Sequence, residues 1–136
     1  MSQDLPENEI AKILDDWHYD AAHGNYDSYF NAMSANSVFI GTDKSENWQV
    51  ADFKKWSKVH FEDGEAWSFT VKERNIYFSK DNKIAWFDEL LDTWMGVCRG
   101  SGVLAKENGN WKIKQYVLSV TIDNDKIEEF IKLSQK

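Results

Sequence analysis

The chain has 136 residues, a formal charge of −7 and an aromatic content of 15%, with seven tryptophans. That length fits one domain, residues 1–136, which can bury roughly two-thirds of the surface its unfolded chain exposes. A uniformly acidic chain repels phosphate backbones and anionic bilayers, so neither nucleic acid nor a membrane is an expected partner. Pro6, Glu7 and Glu9 predict a helix start: proline suits the first helical position, and acids favour the positive end of the helix dipole. Ile10, Ile13, Leu14, Trp17 and Ala21 follow at helical spacing as one buried stripe, and Gly24 ends the helix. Asn25 can cap a short second helix running through Tyr26, Tyr29, Phe30 and Met33. Val38, Phe39 and Ile40 read as a short strand closed by Gly41.

Residues 49–62 predict a third helix with Phe53, Trp56 and His60 on one side, ended by Gly64. Residues 67–71 alternate as a strand, which continues or resumes at residues 76–78. Asp81 and Asn82 turn the chain into residues 84–95, an apolar strand that also carries Asp88, Glu89 and Asp92. Asn108 and Gly109 are a hairpin signal between alternating runs at 100–106 and 111–120. Asp123 or Asn124 caps a last helix carrying Ile127, Phe130, Ile131 and Leu133. Helices first and a sheet later make an α+β domain with helices on one face of the sheet.

Carboxylates avoid apolar surroundings unless something compensates them, so the acid-bearing strand suggests a lined cavity. Side chains alternate across a strand. Trp86, Asp88, Leu90, Asp92 and Trp94 therefore share one face; Phe87, Glu89, Leu91 and Met95 share the other. If the Asp88 face is concave, its carboxylates lie between tryptophans and can act as general acid or base. The alternative is solvated acids, or acids paired with Lys or Arg. The choice depends on whether the hairpin loop has two or three residues, because each sets a different register. His60 continues the stripe of the third helix, either as a proton carrier or as a core histidine. His18 sits at the edge of the first stripe, and His23 faces the negative end of its helix. Arg99 can anchor a ligand carboxylate or join a surface ion pair. Trp17, Trp56, Trp86 and Trp94 are candidate pocket walls or core rings. Asp43 and Glu46 can close a pocket mouth, or Thr42, Asp43 and Ser45 can make local turns and cap the next helix.

No local ligand pair of the HxH or HExxH kind occurs, so no metal is expected, and no cofactor motif is present. Gly96, Gly100 and Gly102 precede a strand rather than a helix; they bend the sheet or leave room for a ligand or ring, and do not cradle phosphate. Cys98, the one cysteine, excludes an internal disulfide and fits a reducing compartment. The opening MSQDLPENE has no basic start and no apolar run, so a cytoplasmic protein without a secretory signal is expected.

The helix LDDWHYDAAHGNYDSYF, the segment VFIGTDKSENW, the strand IAWFDELLDTWMGVCRGSGVL and the hairpin KENGNWKIKQYVLS resemble the SnoaL-like branch of the nuclear-transport-factor-2-like superfamily. The resemblance implies a curved antiparallel sheet wrapped around N-terminal helices to form a cone with an internal pocket, usually in a homodimer. It also implies that the last strand, with Tyr116 and Leu118, lines the pocket floor. Members include isomerases, dehydratases, cyclases, hydrolases and non-catalytic modules, so fold does not decide function. The expected function is a small-molecule-binding domain with a hydrophobic, Trp-lined pocket. Acid–base isomerisation, dehydration or a related lyase reaction would rest on His60, Asp88 and Tyr116. Trp17, His18, Trp56, Trp86, Leu90, Trp94, Arg99 and Leu118 would contact the ligand. The alternative is a non-catalytic homodimeric ligand-binding or interaction module.

Overall fold

A computed structural model describes residues 5–135. Helix α1 (Pro6–Ala22) begins at its proline, and Gly24 turns the chain at φ +71° just beyond it. Helix α2 (Tyr26–Asn31) is shorter than its apolar spacing suggests: Met33 already belongs to strand β1 (Met33–Ile40). Asn25 caps nothing with its side chain and donates instead to Asp20 Oδ1 at 3.1 Å. Strand β2 (Asn47–Gln49), which the turn-forming residues around it hide, leads into helix α3 (Val50–Glu62). Four long strands follow: β3 (Thr70–Phe78), β4 (Ile84–Thr93), β5 (Gly96–Glu107) and β6 (Asn110–Val120). A 3-10 turn (Asn124–Lys126) and helix α4 (Ile127–Ser134) come last, with Ile127, Phe130 and Ile131 of α4 exposed. No helix among the described residues is long and apolar enough to cross a membrane.

The six strands form one curved sheet in the order β2-β1-β6-β5-β4-β3, antiparallel except where β1 runs parallel to β6. Helices α1, α2 and α3 pack on its concave side. The β5–β6 hairpin has a two-residue loop: Glu107 pairs with Asn110, and Asn108 and Gly109 both take positive φ. That is the mirror-image turn matching the twist of the strands, and Asn-Gly tolerates it best.

The core is ring-rich. Trp17 stacks on Tyr29 at 4.7 Å and meets Tyr116 edge-on at 4.8 Å; Phe39 stacks on Phe53 at 4.1 Å. The buried stripe of α3 is Val50, Phe53, Ser57 and Phe61, so Trp56 and His60 flank it instead of continuing it.

Candidate functional site

The parity question is answered in favour of Glu89. Along β4, Ala85, Phe87, Glu89 and Leu91 are buried, whereas Trp86 and Asp92 are exposed and Asp88 and Leu90 are half-buried on the outer face. Asp88 accepts from Asn75 Nδ2 at 2.9 Å, and Asp92 pairs with Lys72 at 3.6 Å. Arg99, opposite Leu90, is exposed on the same outer side. Asp88, Trp86, Leu90 and Arg99 therefore face away from the helices, and the expected site built on them does not form.

Glu89 is 1% exposed, and both its oxygens are engaged. Arg74 Nε donates to Oε1 at 2.8 Å, the Tyr116 hydroxyl donates to Oε2 at 2.7 Å, and His18 Nε2 lies 2.7 Å from Oε2. Burial pushes this carboxyl up. The hydrogen bond and charge of His18, then the Arg74 guanidinium and the Tyr116 hydroxyl, outweigh burial and hold its pKa at about 2. An ionised carboxylate only accepts hydrogen bonds, so His18 Nε2 carries its proton and donates. Arg74 also reaches Asp15 at 2.8 Å and the carbonyl of Ala11 at 3.3 Å, which ties β3 to α1. Burial and the neighbouring Glu89 charge hold the Tyr116 phenol well above its ordinary pKa, so it keeps its proton.

Two local features of the sheet create this cluster. Lys72 is an extra residue in the β3–β4 ladder, where Val71 faces Leu91 and Glu73 faces Leu90. The slip turns Arg74 inward, directly opposite Glu89. Gly100 faces Glu89 across β4–β5, and a Cβ there would sit 2.0 Å from the Tyr116 hydroxyl. Its missing side chain is the space through which Tyr116 reaches Glu89.

A cavity of about 270 Å³ opens elsewhere, between α3, the β1–β2 loop and the β4–β5 turn. Its walls include Trp48, Trp56, Trp67, Trp94, Met95 and Leu118, with Thr42, Glu46 and His60 as their polar members. Trp48 and Trp56 stack at 5.5 Å, and the Trp56 ring lies 5.1 Å from His60. Trp94, at the β4–β5 turn, is 85% exposed. Each reading of the β1–β2 loop holds in part: Asp43 accepts from the Ser45 amide at 2.9 Å in a local turn and Glu46 borders the cavity, but Asp43 does not border it, and α3 starts after Gln49 with no side-chain cap from Thr42, Asp43 or Ser45.

A second, more open groove of about 340 Å³ runs between α1 and the start of β3, bordered by His18, Asp15, His23 and Phe69. Phe69 borders both hollows and meets the His18 ring edge-on at 5.7 Å. His23 keeps to its helix end, 2.9 Å from the Tyr19 carbonyl through Nδ1.

Of the expected site residues, the structure therefore brings Trp56, His60, Trp94 and Leu118 together around the cavity. Trp17 is buried in the core, and Tyr116 lies behind the wall with its hydroxyl on Glu89. His18 belongs to the Glu89 cluster. Sequence reading gave no role to Arg74, Trp48 or Trp67; strand alternation placed Glu89 on one of two open faces, and nothing local signalled the ladder slip that aims Arg74.

No curated protein matches the chain. Among solved structures, an NTF2-like protein of unknown function from Pseudomonas putida KT2440 superposes with a TM-score of 0.66 at 14% identity, over 88% of this chain and 89% of that one. A proposed ketosteroid isomerase from Shewanella frigidimarina gives 0.65 at 17% identity, over 79% and 92%. The association domain of CaMKII from C. elegans gives 0.65 at 12%, over 84% and 95%. Likeness at these identities concerns the fold alone. The SnoaL-like domain family model matches residues 10–123. With its curved six-stranded sheet and concave-side helices, the chain belongs to the SnoaL-like domain family.

Proposed function

We propose that the chain is a small-molecule-binding domain whose ligand, small and mainly apolar, sits in the cavity walled by Trp48, Trp56, Trp67 and Trp94. The observation that carries this reading is the cavity itself. A hollow of about 270 Å³ lined by rings, with three polar side chains at its edge, has the size and composition of a ligand site rather than of a packing defect. Of the three groups expected to move protons, His60 alone borders it. The reading therefore assigns acid–base isomerisation, dehydration or a related lyase step to His60, and leaves Asp88 and Tyr116 out of the chemistry. A non-catalytic ligand-binding or interaction module is the second reading. It is supported by Glu89, the most deeply buried acid, whose oxygens are engaged by His18, Arg74 and Tyr116, and which borders neither hollow. Either way the working unit is a homodimer.

Thermal-shift screening against polyketide-like, steroid-like and carboxylate compounds tests the site. Hits should raise the melting temperature of the wild type and not of Leu118→Trp, which fills the cavity. Hits that stabilise both proteins equally would remove the reading. Turnover of a hit that is lost in His60→Gln identifies the enzyme, and binding without turnover identifies the module.

A further inference from the structure

The charge around the cavity is one-sided. Glu46 is its carboxylate, and no lysine or arginine among the described residues borders it. Glu46 Oε1 accepts the Asp43 amide at 2.9 Å, and no salt bridge among the described residues involves Glu46. The contrast with Glu89 is direct: the inner acid has Arg74 and His18, whereas the cavity acid has no cation. Aromatic rings add negative electrostatic potential on their faces. Trp56 is sandwiched between Trp48 at 21° and the buried Phe53 at 20°, whereas Trp94, 85% exposed, stacks on no ring among the described residues and keeps its faces open. The chain as a whole carries −7 and draws cations towards itself.

An anion in this cavity would meet a carboxylate and ring faces, with the His60 imidazole as the one basic side chain among the described lining residues. A neutral molecule would fill the volume and leave Glu46 without a counter-ion. A primary ammonium or a guanidinium needs several acceptors for its N–H groups, and the walls offer few. An alkylated ammonium needs none. It is weakly hydrated, packs by dispersion, and is attracted to indole faces. Among the described residues no cluster of three or more metal-ligating side chains offers a metal ion a competing site. We infer that the ligand of this cavity carries a methylated or otherwise alkylated ammonium head, held against the tryptophan rings with Glu46 as its counter-ion. The inference rests on the cavity being the ligand site proposed above.

Calorimetric titration of the full chain with choline and with 3,3-dimethyl-1-butanol, the same shape with carbon in place of the charged nitrogen, tests it. Choline should bind at least about tenfold more tightly. Glu46→Gln keeps an acceptor for the Asp43 amide, so it should lose most of choline's advantage and bind the alcohol as the wild type does. Equal or tighter binding of the alcohol to the wild type overturns the ammonium inference while supporting the cavity as a ligand site. Binding of neither compound also overturns it; the cavity reading then stands only if a different screened compound binds the wild type and not Leu118→Trp.

Discussion

Glu89 does the most to tie the layers of this molecule together, because its two oxygens join α1, β3, β4 and β6 through His18, Arg74 and Tyr116. Replacing it by glutamine keeps the shape and removes the charge, leaving the Arg74 side chain, 9% exposed, without its buried counter-ion. Loss of one partner from a buried pair costs about 3–5 kcal/mol, and urea unfolding of Glu89→Gln should show a loss of that order. The same carboxyl makes stability pH-dependent. Its folded pKa, about 2, lies below the ordinary 4.5, so the contribution is complete above 4.5 and disappears as the pH falls towards 2. Integrated over that window it amounts to about 3 kcal/mol. Unfolding free energies measured between pH 5 and 2 should fall more steeply for the wild type than for Glu89→Gln. Parallel curves would mean that the pair contributes nothing net.

The elements explain what could be read in advance and what could not. Helix starts and stops were legible at Pro6, Gly24 and Gly64, because those residues act through their own backbone. The Asn108-Gly109 hairpin was legible for the same reason. Which face of β4 turns inward was not, because both faces of its unbroken alternation mix acids with apolar groups, and the ladder slips that decide which partners reach them lie on neighbouring strands. On β6, Trp111 and Ile113 face in, then Tyr116 and Leu118, with Lys114 as the extra residue opposite the Val103–Leu104 step. On β3 the extra Lys72 does the same before Arg74. One inserted residue reverses every later side chain, and no local composition marks it. The glycines were legible only as a need for room; that the room is for Tyr116 depends on β5 and β6 being adjacent. The outer face that this register leaves behind is apolar in patches, with Tyr77 at 46%, Trp86 at 44% and Val97 at 38% exposure. Tyr77 and Trp86 are cross-strand partners on β3 and β4. If this face joins two copies, the wild type should sediment at the mass of two chains and Trp86→Asp at the mass of one. A wild type that sediments as one chain sinks the dimer.

At the scale of the whole molecule, one cone carries two different interiors. Towards β3 and α1 the interior is polar and saturated, with Glu89 fixed in place by its three neighbours. Towards α3 and the β1–β2 loop it is a ring-walled hollow edged by Glu46, which forms no salt bridge among the described residues. The fold is shared with proteins whose names span an isomerase and an assembly domain, so the residues around the hollow must decide what this chain does. On the proposal made above, the hollow, not the α1–β3 groove beside His18, receives the ligand. A crystal structure of the protein soaked with its best thermal-shift hit tests that claim directly. Density for the compound is expected among Trp48, Trp56 and Trp67, within contact of His60. Density beside His18 and His23 with the hollow empty would contradict it.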